Sequence, residues 1–278
     1  MRPKTRAVSS VVEHRLHTAG VTGSNPVLPT RYSTGRPIFR NRVGFVVFVR
    51  WFFVRCACVK PKRFELLIFD WDGTLMDSTG VIVNSILAAS RDMGLPEPTR
   101  DEASHIIGLG LRQALEALFP ALPEADHPTL ADHYRRHYLS QDAEIPLFEG
   151  ARELIAEMHA RGHTLAVATG KARRGLVRAF AHSGLEPFFH ASRTADETHS
   201  KPHPAMIEEL LDQLMVEPDR ALMIGDTTHD LEMARNAGIA SLGVSYGAHP
   251  AEKLTAGLSP LSVCHSFAEL ATWLKQNA

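Results

Sequence analysis

The chain has 278 residues, with 30 Lys+Arg, 31 Asp+Glu and 44% hydrophobic content. That is the composition of a globular protein with a sizeable core, and it excludes collagen-like, mucin-like and wholly disordered chains. The balanced charge conceals two unlike parts: residues 1–63 hold 13 basic residues against Glu13 alone, whereas the remainder holds 17 basic and 30 acidic residues and would repel nucleic acid.

The basic leader, 1–63, has no steady periodicity. Its apolar stretch, Val43–Val59, is interrupted by Arg50 and Arg55. The cleanest run, Val43–Val49, falls far short of the ~20 residues that span a bilayer, so no membrane partner is expected. An Arg-rich, acid-poor leader is compatible with a transit peptide or with contact to anionic lipid. The string Gly23-Ser24-Asn25-Pro26 also resembles the T-arm of a tRNA gene read in frame. The expectation is therefore a disordered leader or one translated from a start site placed too far upstream, although no Met lies between Met1 and Met76. Cys56 and Cys58 lack the spacing and partners of a zinc site. With Cys264 they make three cysteines, too few for a disulfide framework and suited to a reducing, cytoplasmic setting.

In the acidic body, Phe64–Asp70 is a short apolar run ending in a carboxylate and predicts a buried strand. Helical spacing runs from Ser78 to Met93, closed by Gly94-Leu95-Pro96. Residues 100–142 are helical in pattern, with breaks at Gly108–Gly110 and near Pro120–Pro128. A helix is expected over Ala151–Arg161, a strand over Thr164–Thr169 and a helix over Leu176–His182. A short strand at Phe189–Ser192 and a helix at Pro204–Leu214 follow. The remaining expectations are strands at Ala221–Gly225 and Ser241–Val244 and helices at Leu231–Ala237 and Phe267–Lys275. Apolar strands alternating with helices predict an α/β fold: a Rossmann-like parallel sheet with helices on both faces. The helical stretch 81–145 reads as an insertion after the first strand, dividing a core of 64–80 and 146–278.

The polar clusters follow strands. Asp70-Trp71-Asp72-Gly73-Thr74 follows the first, Thr169-Gly170-Lys171 the second, and Gly225-Asp226-Thr227-Thr228-His229-Asp230 that at Ala221–Gly225. Strand carboxyl ends of an open parallel sheet line one crevice. Asp70, Asp72, Asp226 and Asp230 should therefore converge with Thr169, and Lys201 could enter the same crevice. Packed carboxylates raise one another's pKa unless a cation joins them, and Mg²⁺ takes such hard oxygen ligands. A carboxylate beside the ion can attack phosphorus, and a second can protonate the leaving oxygen. Each motif alone is weak; four in order are specific.

That ordered set resembles the haloacid dehalogenase superfamily, over residues 64–275. The resemblance implies a Mg²⁺-dependent phosphatase working through an aspartyl-phosphate. It makes Asp70 the nucleophile and a metal ligand. Asp72 is then the general acid/base, offering its backbone carbonyl to the metal. Thr169 binds a phosphoryl oxygen and Lys201 steadies the nucleophile. Asp226 ligates the metal and Asp230 supports its shell. The insertion at 81–145 matches the family's cap. Within the superfamily, Thr194–Pro204 and Ile107–Leu115 are most similar to phosphoglycolate phosphatases, which implies a small phosphorylated metabolite, 2-phosphoglycolate first. The alternatives are a phosphomutase, or a phosphatase of sugar phosphates, nucleotides or pyrophosphate. The expected assembly is a monomer or homodimer.

Gly73, Gly170, Lys171 and Arg112 are candidate substrate contacts: Gly73 for close backbone approach, backbone N–H groups near Gly170 to offset phosphoryl charge, and Arg112 either as a bidentate carboxylate clamp or as a solvated residue opening a helix. His133 and His137 stand four residues apart, as a metal pair can, but Arg135 and Arg136 beside them indicate a solvated helix face. His203 and His229 flank the motifs, where they could tune local charge or serve as surface or loop-fixing residues. Cys264 reads as core.

Overall fold

A computed structural model describes residues 63–278. The leader and its features, including Cys56 and Cys58, lie outside the described residues.

Six parallel strands form one sheet in the order β3-β2-β1-β4-β5-β6. They are β1 (Leu66–Phe69), β2 (Thr164–Thr169), β3 (Ala191–Thr194), β4 (Ala221–Gly225), β5 (Ala240–Val244) and β6 (Val263–Cys264). The α/β expectation holds. Strand side chains alternate between faces. Leu67, Phe69, Leu165, Val167, Leu222 and Ile224 pack on one face with Leu154, Ile155, Phe180 and Leu270. Those partners come from α5 (Ala151–Ala160), α6 (Arg173–Ser183) and α10 (Phe267–Asn277). Leu66, Ile68, Ala166, Ala168 and Met223 pack on the other with Met206, Leu210 and Met233. These belong to α7 (Ala205–Leu214) and α8 (Thr228–Asn236). Burial on both faces is why these strands are continuously apolar in sequence.

Between β1 and β2 four helices precede α5: α1 (Thr79–Asp92), α2 (Arg100–His105), α3 (Leu111–Leu118) and α4 (His127–Leu139). Helix α1 begins at Thr79, with Ser78, the first residue of the expected helical pattern, as its N-cap. The chain leaves and re-enters through a small backbone clasp: Asp77 N–H donates to Pro146 O and Phe148 N–H to Leu75 O, each at 3.0 Å. His133 Nδ1 and His137 Nε2 both meet Asp92 Oδ2 of α1, at 2.9 and 2.7 Å, joining α4 to α1. The predicted solvated face is thus partly an inter-helix contact.

Two elements escaped the sequence pattern. Helix α9 (Ala251–Thr255) spans five residues and β6 only two, too short for a period to register. Cys264, expected in the core, is buried on β6, and burial pushes its thiol up to about 11. No helix among the described residues is long and apolar enough to cross a membrane.

Candidate active site

Register brings the site together. Phe69 pairs with Val167 on β2 and with Ile224 on β4, so the strand ends carrying Asp70, Thr169 and Asp226 lie at one edge. Asp70 N–H extends the pairing by donating to Ile224 O at 2.9 Å. Beyond β1 the side chains keep alternating. Asp70 and Asp72 both line the crevice, whereas Trp71 between them is fully buried against Phe180, with ring centres 5.1 Å apart. A bulky apolar residue at that position anchors the loop from beneath.

Asp70, Asp226 and Asp230 are fully buried, and one oxygen of each lies within 4.8 Å of the others. Lys201 is also buried, with Nζ 2.8 Å from Asp70 Oδ1 and 2.6 Å from Asp230 Oδ1. Three carboxylates and one ammonium leave an excess of negative charge in a region of low dielectric. Burial raises the Asp70 pKa to about 7; Lys201 opposes the rise and Asp230 adds to it. Asp226 is held well above the carboxylate range, first by burial and then by Asp70 and Asp230. For Lys201, burial works against the ammonium, but Asp230 and Asp70 outweigh it and hold the pKa above its ordinary value.

Asp70 Oδ2 is buried without a hydrogen-bond partner among the described residues. An orphaned oxygen on a carboxylate that clusters with two others fits a hard divalent cation such as Mg²⁺, which would supply the missing positive charge.

The supporting contacts are specific. Asp226 accepts from Thr74 Oγ1 at 3.0 Å and from the Ala248 N–H at 2.7 Å. Asp230 caps α8, its Oδ2 accepting from the Thr227 N–H and hydroxyl while Oδ1 faces Lys201. Thr169 is fully buried and its hydroxyl oxygen accepts from the Lys171 N–H at 3.2 Å, leaving the hydroxyl proton to donate. Asp72 Oδ1 accepts from Ser78 Oγ at 2.6 Å and lies 3.0 Å from Lys171 Nζ.

The four candidate substrate contacts divide. Gly73, at φ +76°, is glycine because Asp226 crowds it: a β-carbon would lie 2.1 Å from Asp226 Oδ2. Gly170 is glycine because the inserted segment lies on it, with the Gly108 and Leu109 carbonyl oxygens 2.5 Å from where a β-carbon would be. Lys171 reaches the crevice with its ammonium on Asp72. Arg112 lines the cavity, and its guanidinium pairs with Glu116 at 2.6 Å and Glu124 at 3.1 Å on a side chain 75% exposed.

Sequence reasoning missed Thr74, Ser78 and Gly247. Gly247 is the counterpart of Gly73, its β-carbon position 2.2 Å from Asp226 Oδ2. Thr74 and Ser78 lie within the first motif itself, whereas nothing in the sequence around Gly247 ties it to Asp226. It missed also His105 and His249, which with His229 bridge the insertion and core. His229 Nε2 and His249 Nε2 both lie on His105 O, at 3.0 and 3.1 Å, so His229 does not sit free in its loop. His203 stays in its loop and accepts from the Ala205 N–H through Nδ1 at 3.2 Å.

Above the carboxylates lies a cavity of about 630 Å³, within the range of small-ligand sites. Asp70, Asp72, Thr169 and Lys171 form its floor, and the inserted helices supply an apolar wall including Ile82, Ile86, Leu111 and Tyr134.

Residues 67–244 match the family model for haloacid dehalogenase-like hydrolases. The chain is 35% identical over 211 residues to the "Probable phosphatase IndB" of Dickeya dadantii, covering 74% of this chain and 91% of the relative. It is 32% identical over 188 residues to a phosphoglycolate phosphatase of Agrobacterium fabrum, covering 66% and 81%. A crystal structure described as a predicted phosphoglycolate phosphatase from Haemophilus somnus superposes with a TM-score of 0.69 at 24% identity, covering 76% of this chain and 98% of that one.

Proposed function

The chain belongs to the haloacid dehalogenase-like hydrolases, and on that premise we propose that it is a Mg²⁺-dependent phosphatase of small organic phosphomonoesters. The reading is that it works through an aspartyl-phosphate on Asp70, in the cytoplasm, as a monomer or homodimer. The observation that carries this is Asp70 Oδ2: a buried carboxylate oxygen with no hydrogen-bond partner among the described residues, on a residue that lines a ligand-sized cavity. Lys201 holds the other oxygen of the same carboxylate.

In this mechanism Asp70 attacks phosphorus and the ester P–O bond breaks. Asp72 gives its proton to the departing alcohol. It then takes one from the water that attacks the aspartyl-phosphate, releasing phosphate and restoring Asp70. The Thr169 hydroxyl donates to a phosphoryl oxygen, and Lys201 offsets the charge that builds on the transferring group. Asp70, Asp226 and Asp230, with the Asp72 backbone carbonyl, would hold Mg²⁺. When bound, the ion neutralises the carboxylate cluster and polarises the phosphoryl group. Helices α1–α4 act as the cap whose wall meets the leaving group.

Resemblance puts 2-phosphoglycolate at the head of the substrate panel. Phosphate release by the full chain, with Mg²⁺ and with EDTA, tests the reading against 2-phosphoglycolate, sugar phosphates, nucleoside monophosphates, pyrophosphate and an aryl phosphate. Mg²⁺-dependent release concentrated on one ester supports it and identifies the substrate. Phosphoryl transfer between sugar carbons without net release would replace it with a mutase.

A further inference from the structure

We propose that Tyr138, on the last inserted helix, is a positioning residue for the acid/base carboxylate of Asp72, acting through the ammonium of Lys171. The proposal rests on the phosphatase reading above and adds a task for a side chain outside the catalytic motifs.

Lys171 Nζ donates to the Tyr138 hydroxyl at 2.7 Å and lies 3.0 Å from Asp72 Oδ1. The Lys171 and Asp72 side chains are only 9% and 11% exposed. The ammonium also sits 4.8 Å from the centre of the Tyr138 ring. A lysine carries its charge on four flexible carbons, so where the charge rests depends on its anchors. Here the anchors are one carboxylate oxygen on the core and one phenol on the insertion.

The phenol is itself fixed. Tyr134 stacks on it with ring centres 5.8 Å apart. Burial pushes its pKa up, and Asp72 and Asp142 push it further, so the hydroxyl keeps its proton and offers a lone pair to Lys171. Asp142 is held in turn by Arg178 of α6, at 2.9 Å. The chain of contacts runs from α6 through the insertion and back to the loop after β1.

The consequence lies in which oxygen of Asp72 is left free. Ser78 and Lys171 both engage Oδ1, and no donor among the described residues reaches Oδ2. Oδ2 is therefore the oxygen that carries the proton to the ester oxygen as the P–O bond breaks. Without the Tyr138 hydroxyl the ammonium loses an anchor, Oδ1 is less firmly held, and the proton donor is misaimed. Because Tyr138 belongs to the insertion, Asp72 is fully aligned only when the insertion is seated on the core.

The need for that proton depends on the leaving group. An alkoxide must be protonated to leave, whereas 4-nitrophenolate leaves as the anion. The test measures kcat/KM of the full chain with Mg²⁺ on an alkyl phosphate and on 4-nitrophenyl phosphate. Tyr138→Phe is expected to lower it by about tenfold or more on the alkyl ester and by less than about twofold on the aryl ester. Lys171→Met, a change on the cavity floor itself, is expected to lose activity on both esters, and on the alkyl ester the double variant should lose less than the product of the two single losses. Equal losses of Tyr138→Phe on both esters would mean a merely structural role and overturn the proposal, as would no loss on either. A parent protein that cleaves neither ester ends the phosphatase reading itself. A parent that cleaves both, with no leaving-group dependence in Tyr138→Phe, ends only this inference.

Discussion

A β-carbon at Gly73 would fall 2.1 Å from Asp226 Oδ2, so the loop after β1 and the loop after β4 interlock at a single glycine. The φ of +76° adds a backbone reason for the same residue. Gly73→Ala should lower the unfolding free energy by at least about 1 kcal/mol from the backbone strain alone. It should also displace Asp226 and weaken Mg²⁺ activation by about tenfold or more. Denaturant unfolding and a Mg²⁺ titration of activity measure the two effects separately.

Asp70→Asn should abolish turnover while leaving the far-ultraviolet circular dichroism unchanged, because the amide keeps the shape and loses the nucleophile. Near-normal turnover would exclude the covalent route.

The same substitution has a signed effect on stability. The folded pKa of Asp70, about 7, lies above its unfolded value of 3.8, so the folded state binds more protons between those limits. This group's contribution to stability therefore falls as pH rises from about 4 to 7. In EDTA, Asp70→Asn should be more stable than the parent at pH 7.5 and close to it at pH 4. Added Mg²⁺ should stabilise the parent at pH 7.5 and do so much less for the variant. Thermal unfolding at the two pH values, with and without Mg²⁺, checks all of this.

His249 works in the opposite direction. Burial, with His229 nearby, lowers its pKa to about 4 from 6.5. The unfolded chain therefore binds the extra proton between those values, and stability is lost as pH falls through them. The shift corresponds to roughly 3 kcal/mol. His249→Gln should flatten the dependence of unfolding free energy on pH between about 4 and 6.5. The difference between parent and variant isolates this group from Asp70.

Arg112 makes two ion pairs on a side chain 75% exposed. Exposed pairs of this kind contribute about 0–1 kcal/mol. Arg112→Ala should leave KM within about twofold for a phosphorylated acid such as 2-phosphoglycolate. A rise of tenfold would restore the carboxylate clamp.

Much of the catalytic floor was legible in the sequence because it depends on local order along the chain. Asp70, Thr169 and Asp226 each end or follow a strand, and parallel strands in register bring their carboxyl ends together. The short strands at Leu66–Phe69 and Ala221–Gly225 were legible because burial on both faces makes every position apolar. Helix α9 and strand β6 were not, since five and two residues carry no period. The reasons for Gly73 and Gly170 were also hidden. Each is glycine because of a residue far away in sequence, Asp226 in one case and Gly108 with Leu109 in the other.

By itself the sequence determined the α/β class, the order of the strands and helices other than α9 and β6, and the identity of the carboxylates that meet at the sheet edge. Hydrophobic periodicity and strand-end motifs are local properties, readable without coordinates. Only the tertiary structure decided the partners. It gave Lys201 to Asp70 and Asp230, and Lys171 to Asp72 and Tyr138. It gave Arg112, which lines the cavity, to Glu116 and Glu124. The physical reason is that a long charged side chain settles on whichever opposite charge packing brings within reach, and packing joins residues that the chain keeps far apart.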